Sequence, residues 1–143
     1  MVKMFHLSEA SNLAIHALIV LKNYGSVAMV PNDVIANQLK VSHSHLSKVM
    51  QRLVKKGLIK SSRGARGGFI MLVRPEDISI LQVVNIIEEG NPSKQCLFNS
   101  PHCCNGPCLF FDLQTELNSI IHDHLSKYTI ADFHSTFSST KPI

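Results

Sequence analysis

Four closely spaced cysteines are the residues of this chain with the most distinctive chemistry. Their spacing is Cys-x6-Cys-x4-Cys with one additional vicinal thiol, and they are Cys96, Cys103, Cys104 and Cys108. Thiolates are soft ligands, which select zinc, copper(I) or iron–sulfur clusters over calcium and magnesium. Structural zinc sites commonly contain paired Cys-x2-Cys knuckles, which this segment lacks. The spacing therefore favours an iron–sulfur cluster and leaves zinc as an alternative.

The predicted compartment also favours ligand cysteines over disulfides. Residues 1–6 contain neither a continuous apolar region nor a small-residue cleavage site, so we expect no secretory signal. The longest apolar run of the first predicted helix, Ala17 to Leu21, is far too short to span a bilayer. We therefore predict a cytoplasmic protein without membrane contact. In a reducing cytoplasm, clustered cysteines are better explained as ligands than as structural disulfides.

Positive charge is concentrated in one stretch of the chain. Nine of the fourteen Lys and Arg residues lie between Lys40 and Arg74, and this stretch contains no Asp or Glu. Such a stretch suits the phosphate backbone of double-stranded DNA. A merely solvated basic surface is the alternative that charge alone leaves open.

Helical periodicity predicts a helix-turn-helix at the start of this stretch. A first helix is expected between Ser8 and Gly25, and a short second helix follows Pro31. A third helix runs from its cap, Ser42, to Gly57. The second helix of such a motif enters the major groove of DNA. The residues expected on its outer, DNA-binding face are His43, Ser44, Ser47, Lys48 and Gln51.

A glycine- and arginine-rich turn after the third helix predicts a wing, that is, a two-stranded hairpin. Its strands are expected at residues 58–61 and 69–73. Glycines such as Gly67 allow the backbone to approach a phosphate, and Arg63 and Arg66 are long enough to probe a minor groove. The wing is therefore a second predicted DNA contact, with a plain solvent-exposed hairpin as the alternative.

Two further helices are expected after the wing. The first spans about Ser79 to Glu89 and braces the winged domain through Ile80, Leu81, Val84 and Ile87. The second begins near Leu109, and its apolar positions are Leu113, Leu117, Ile120, Ile121 and Leu125. Too little chain remains to cover this apolar face, so a homodimer is predicted. A short capped turn is expected at residues 129–133.

The predicted fold is therefore mainly α with a small β wing. Residues 1–90 form a winged helix-turn-helix domain, residues 91–108 a cysteine-rich cluster-binding loop, and residues 109–143 a dimerisation helix with a C-terminal tail. The chain contains no nucleophile–base signature, phosphate-binding glycine loop or paired acid motif, so it is not expected to be an enzyme. A redox enzyme would also need a substrate pocket or a Cys-x2-Cys motif, and the sequence supplies neither.

The chain resembles the IscR/NsrR-type winged-helix transcription regulators, a bacterial family also called Rrf-two. The resemblance covers nearly the whole chain and rests on the cysteine loop and on residues 14–18, 42–58, 63–69 and 128–133. It implies a homodimer whose long helices cross, and often an iron–sulfur cluster, 2Fe-2S or 4Fe-4S, held by three loop cysteines. Cys96, Cys103 and Cys108 match those three.

This sequence departs from the family pattern at two places. Cys104 is additional, and Phe111 stands where some members have a ligating histidine. Relatives can donate a ligand from helix one of the partner subunit, where this chain has a polar stripe of Glu9, Asn12 and His16. His16 is the first candidate for the fourth ligand and Cys104 the second.

The resemblance and the residue patterns together predict a dimeric transcription regulator that binds a partly palindromic operator, for example as a repressor. Its signal would be iron–sulfur cluster status, redox state or nitric oxide. Members of the family without a working cluster use thiols directly or act as plain repressors. A zinc-stabilised DNA-binding protein that senses nothing is the other alternative.

Overall fold

A computed structural model describes residues 6–89 and 108–134 of the chain. Its helices are α1 (Glu9–Tyr24), α2 (Asn32–Leu39), α3 (His43–Lys55), α4 (Ile80–Glu88) and α5 (Phe111–Lys127). Strands β1 (Ile59–Ser62) and β2 (Gly68–Met71) form one antiparallel hairpin, and short 3-10 turns occupy Pro75–Asp77 and Ile130–Asp132. None of the helices in these two ranges is long and apolar enough to cross a bilayer. The predicted fold class, mainly α with a small β wing, is confirmed.

Helix α1 is the centre of the core. The Ser8 hydroxyl caps it by accepting a hydrogen bond from the backbone N–H of Ser11 at 3.1 Å, and Gly25 follows its last turn, as predicted. It packs against α2, α3, α4, β2 and the turn at Ile130–Asp132. This central position explains why all the predicted apolar positions are buried, namely Leu13, Ala14, Ala17, Leu18 and Leu21.

A tight turn joins α2 to α3. Lys40 adopts a left-handed conformation with φ 55°, and its backbone N–H donates to carbonyls in the last turn of α2. The Ser42 hydroxyl then caps α3 by accepting from the N–H of His45 at 3.2 Å. The predicted inward face of α3 is fully buried and consists of Leu46, Val49, Met50 and Leu53. The connection therefore fixes which side of α3 faces solvent.

The wing is attached to the segment that precedes α2. Val30 and Phe69 exchange two backbone hydrogen bonds of 2.9 Å each. Gly68 lies beside this contact with φ 147°, and a Cβ there would come within 2.3 Å of the Val30 carbonyl oxygen. The strands pair Ser62 with Gly68 at the tip, so β1 is one residue later than predicted and β2 begins one residue earlier and ends two residues earlier. The close approach at Gly68 explains why glycine occupies this position.

Helix α4 packs on the core through a slightly different face from the one predicted. Ile80, Val83 and Ile87 are buried, whereas Leu81 and Val84 are only partly buried. The predicted burial is therefore confirmed for Ile80 and Ile87, while Val84 packs against the core but is only half-buried. Positions 80, 83 and 87 are three and four residues apart, which places them on one side of a helix facing α1.

The segment after α5 returns to the winged domain. The backbone N–H of Ile80 donates to the Tyr128 carbonyl, and that of Ile130 donates to the Ile78 carbonyl, both at 2.9 Å. The capped turn predicted at residues 129–133 is confirmed, since Asp132 accepts from both the N–H and the hydroxyl of Thr129. Residues 128–133 are thus part of the same core as α1 and α4, with Ile130 fully buried.

Helix α5 buries no residue completely against the described parts of the chain. Leu113 and Ile120 are 42% and 58% exposed, and Leu117, Ile121 and Leu125 are half-buried. The helix begins at Phe111, after a turn at residues 109–110, two residues later than predicted. Its apolar residues lack cover within the described residues, as the sequence pattern led us to expect.

Candidate nucleic-acid interface

The outer face of α3 presents polar side chains to solvent. His43, Ser44, Lys48 and Gln51 are exposed, and Ser47 is half-exposed. They lie opposite the buried stripe described above, so the surface can approach DNA without disturbing the core. These side chains offer hydroxyl, amide, imidazole and ammonium groups, which together can donate to and accept from base edges and phosphates.

The tip of the wing presents two arginines. Arg63 and Arg66 are both exposed. Gly67, predicted as a DNA contact, is half-buried, and its N–H donates to the Gly64 carbonyl at 2.9 Å. A Cβ at Gly67 would lie 2.4 Å from the carbonyl oxygen of Ser62. The structure thus gives Gly67 a local reason to be glycine, namely closure of the wing turn.

Three of the nine basic residues in the stretch from Lys40 to Arg74 are held by groups of the protein itself. Arg52 donates from Nη1 to the Ile87 carbonyl at 2.6 Å, and Lys56 pairs with Glu89 at 2.7 Å. Arg74 pairs with Asp77 at 2.9 Å. The sequence pattern did not separate these three from the others, because all three partners, Ile87, Glu89 and Asp77, lie outside the basic stretch.

The other six basic residues form the outward set, a name we use for the exposed cations that make no hydrogen bond or ion pair with described residues. Their ammonium and guanidinium groups are available for phosphate contacts. The outward set comprises Lys40, Lys48, Lys55, Lys60, Arg63 and Arg66. Its members lie on α3, in the turn before α3 and in the wing, so both predicted DNA-binding elements carry exposed positive charge.

The shifted pKa values agree with this division. The hydrogen bond from Arg74 lowers the pKa of Asp77, and the same bond raises the pKa of the Arg74 guanidinium. The hydrogen bond from Lys56, reinforced by its charge, lowers the pKa of Glu89. Arg74 and Lys56 are therefore paired with carboxylates of the protein, although a count of basic residues would include both among the possible DNA contacts.

His16 lies on an open cavity of about 340 Å³ between α1 and the start of α3. Its Nδ1 lies 2.7 Å from the Asn12 carbonyl oxygen, and because a carbonyl can only accept, the ring N–H donates in this contact. The predicted polar stripe therefore faces one cavity. The sequence pattern did not reveal the residues on the other side of this cavity, among them His45 in the first turn of α3. The cavity is lined by Glu9, Asn12, Leu13, His16, Leu39, Val41 and His45.

The structure describes only one of the four cysteines. Cys108 is half-buried, and its carbonyl accepts from the N–H of Phe111 at 3.1 Å where α5 begins. Cys96, Cys103 and Cys104 lie outside the described residues. Residues 6–89 and 108–134 contain no group of three or more His, Cys, Asp or Glu side chains that could hold a metal ion. Any cluster site of this chain therefore requires the remaining cysteines.

Comparison with known proteins agrees with this architecture. Residues 7–136 match the family described as Rrf2, iron-dependent transcriptional regulator. The chain is 30% identical over 96 residues to the HTH-type transcriptional regulator NsrR of Shouchella clausii, covering 66% of this chain and 60% of that protein. It is 26% identical over 126 residues to the regulator IscR of Pectobacterium atrosepticum, covering 87% of this chain and 76% of that protein.

Two solved structures show the same fold. The structure of T. potens IscR superposes with a TM-score of 0.71 at 22% identity, covering 90% of this chain and 85% of that chain. Staphylococcus aureus CymR has the same TM-score and identity, covering 90% of this chain and all of that one. The family match and the shared fold define a winged-helix, DNA-binding transcription regulator. This chain belongs to the Rrf2 family, and its relatives are transcription regulators and not enzymes.

Proposed function

We propose that this protein is a homodimeric regulator that reads an operator with α3 and the wing, and that changes its DNA affinity according to the state of its cysteines. The observation that carries the first part is the set of exposed, unpaired cations on α3, on the turn before it and on the wing. All six cations of the outward set are exposed, while the other three basic residues of the stretch are paired within the protein.

The two elements have different tasks in this proposal. Helix α3 enters the major groove, where Ser44, Ser47 and Gln51 meet base edges and Lys48 meets phosphate. The arginines of the wing lie against an adjacent minor groove or its phosphates. His43, at the first position of α3, lies where the helix N-terminus favours a phosphate.

The dimer follows from α5. Its apolar residues Leu113, Ile120 and Ile121 lack complete cover in the described residues, and a second copy of the same helix is apolar at the same positions. A two-fold dimer presents two α3 helices to half-sites that lie about one helical turn of DNA apart. Small rotations of the subunits would then change affinity without any new base contact.

For the cysteines, we propose an iron–sulfur cluster held by Cys96, Cys103 and Cys108. The donor chemistry fits, since thiolates are the soft ligands that clusters require and imidazole also ligates cluster iron in some proteins. When bound, such a cluster supplies a centre that reacts with oxidants and nitric oxide. The proposed fourth ligand is the partner subunit's His16, or else Cys104. In support of His16, the contact with the Asn12 carbonyl orients its ring in the way usual for ligating histidines.

The vicinal cysteines offer a matched pair of variants that tests this assignment. The protein is purified without oxygen, and iron, zinc, acid-labile sulfide and the visible spectrum are measured. We expect Cys103→Ser to lose iron, sulfide and visible absorption, and Cys104→Ser to retain them. Loss in Cys104→Ser with retention in a His16→Ala variant would make Cys104 the fourth ligand and contradict the assignment to His16.

The metal content also separates the alternatives. Zinc without sulfide in the wild-type protein would favour the zinc-stabilised form of this fold. Absence of any metal, together with a change of operator affinity on thiol oxidation, would favour direct thiol sensing. The cytoplasmic location remains a prediction that rests on the sequence.

A further inference from the structure

The last turn of α4 contacts two other helices through three consecutive residues. The Ile87 carbonyl accepts the hydrogen bond of Arg52 from α3, and the Glu89 carboxylate pairs with Lys56 at the end of α3. Between them, the Glu88 carboxylate accepts from the hydroxyls of Ser8 and Ser11 at the start of α1, the latter at 2.7 Å. The last turn of α4 thus contacts both α1 and α3.

The contact of Arg52 is favourable for reasons of helix structure. The last carbonyls of an α-helix lack intrahelical partners and carry partial negative charge. A guanidinium that donates to the Ile87 carbonyl satisfies one of them and complements that charge. Arg52 also belongs to the last turn of α3, where its own carbonyl accepts from the N–H of Lys56 at 3.2 Å. The two helix ends are therefore tied to each other at two adjacent points.

We infer that Arg52 is a positioning residue for DNA recognition and not a phosphate contact: it sets the angle of α3 through the last turn of α4. The inference rests on the proposed DNA reading by α3. By sequence, Arg52 is one of nine equivalent cations. Arg52 and Lys48, one helical turn apart, are both exposed, but the Arg52 guanidinium donates to the Ile87 carbonyl of α4, whereas Lys48 makes no hydrogen bond or ion pair with described residues.

Arg52→Met and Lys48→Met provide a matched test, since each removes one charge from α3 and keeps the aliphatic stem. Operator affinity is measured across a salt series. We expect Arg52→Met to bind about tenfold more weakly with an unchanged salt slope, because a charge-assisted hydrogen bond within the protein is lost. Lys48→Met should flatten the slope by about two for a dimer, one contact for each subunit. Equal flattening in both variants would overturn the inference.

Amide hydrogen exchange without DNA gives a readout that does not depend on operator binding. Arg52→Met should speed exchange at the end of α3 and in residues 86–89, and Lys48→Met should not. If amide exchange at the end of α3 and in residues 86–89 is the same in Arg52→Met as in the wild type, the inference is overturned. If the wild-type protein binds no operator but Arg52→Met still speeds exchange, the Arg52 contact with α4 is supported and the proposed DNA-binding function is refuted. A charge swap that combines Lys56→Glu with Glu89→Lys should recover affinity lost in either single variant.

Discussion

Replacing Arg66 by alanine removes one cation of the outward set from the tip of the wing, where the side chain is exposed. Each phosphate contact contributes about 0.9 to the slope of log affinity against log salt concentration. A dimer has two copies of Arg66, so the slope should become less steep by about 1.8, or about two within measurement error. The affinity at low salt should fall about tenfold or more, because two charge-assisted contacts are lost.

Arg74→Ala is the matched control for this change. Arg74 is also an exposed arginine of the basic stretch, but its guanidinium hydrogen-bonds the Asp77 carboxylate at 2.9 Å. We expect this variant to keep the wild-type slope. Fluorescence anisotropy with a labelled operator, recorded over a series of salt concentrations, measures both quantities. Equal slopes for Arg66→Ala and the wild type would refute the wing contact, and an equally flattened slope for Arg74→Ala would refute the division of the basic residues.

Three further changes test the dimer and the core. Ile120→Glu should convert the proposed dimer to a folded monomer, seen by light scattering and circular dichroism, because this side chain is 58% exposed in the single chain. Lys22→Met should lower the free energy of unfolding in urea by about 1 kcal/mol, since Lys22 donates to the carbonyls of Ile130, Ala131 and Phe133. Asp132→Asn should destabilise the protein near neutral pH, and the difference from the wild type should shrink as pH falls below 3.8 through the folded-state pKa, because the Thr129 hydrogen bonds lower the pKa of this carboxyl below its usual 3.8.

Each of these changes has a control. A lowered carboxyl pKa in the folded state stabilises the protein above the unfolded pKa, and that stability is lost as pH falls through the folded value. A difference between Asp132→Asn and the wild type that does not shrink in acid would therefore contradict the capping role. Lys127→Met removes an exposed lysine of α5 and should leave urea unfolding unchanged. A dimer that persists in Ile120→Glu would contradict pairing through α5.

Much of the local structure could be predicted because its causes are local. The caps Ser8 and Ser42 accept from N–H groups three residues later, a distance visible in the sequence. The inward face of α3 also follows from helical periodicity, since an α-helix places residues three and four apart on one side. The capped turn at Thr129 depends on Asp132, again three residues away. Such features need no knowledge of the rest of the fold.

The candidate site was predicted less completely. The sequence identified the basic stretch but could not show that Arg52, Lys56 and Arg74 have partners within the protein. It identified the polar stripe of α1, but not that His45 of α3 lies on the same cavity. It also predicted that Leu81 and Val84 are buried, whereas both are half-buried and Val83 is buried. Apart from the Arg74–Asp77 pair, whose residues are three apart, these differences arise from contacts between segments that are distant in the sequence.

By itself, the sequence determined the order of elements, the clustering of the cysteines and the concentration of positive charge, because composition, spacing and periodicity are properties of neighbouring residues. Only the tertiary structure decided which cations remain available for DNA and which tie α3 to α4. The Ile87 carbonyl and the Glu89 carboxylate come within hydrogen-bonding distance of Arg52 and Lys56 only when α4 packs across the end of α3. Burial of apolar faces drives that packing, and it thereby selects the polar groups that meet.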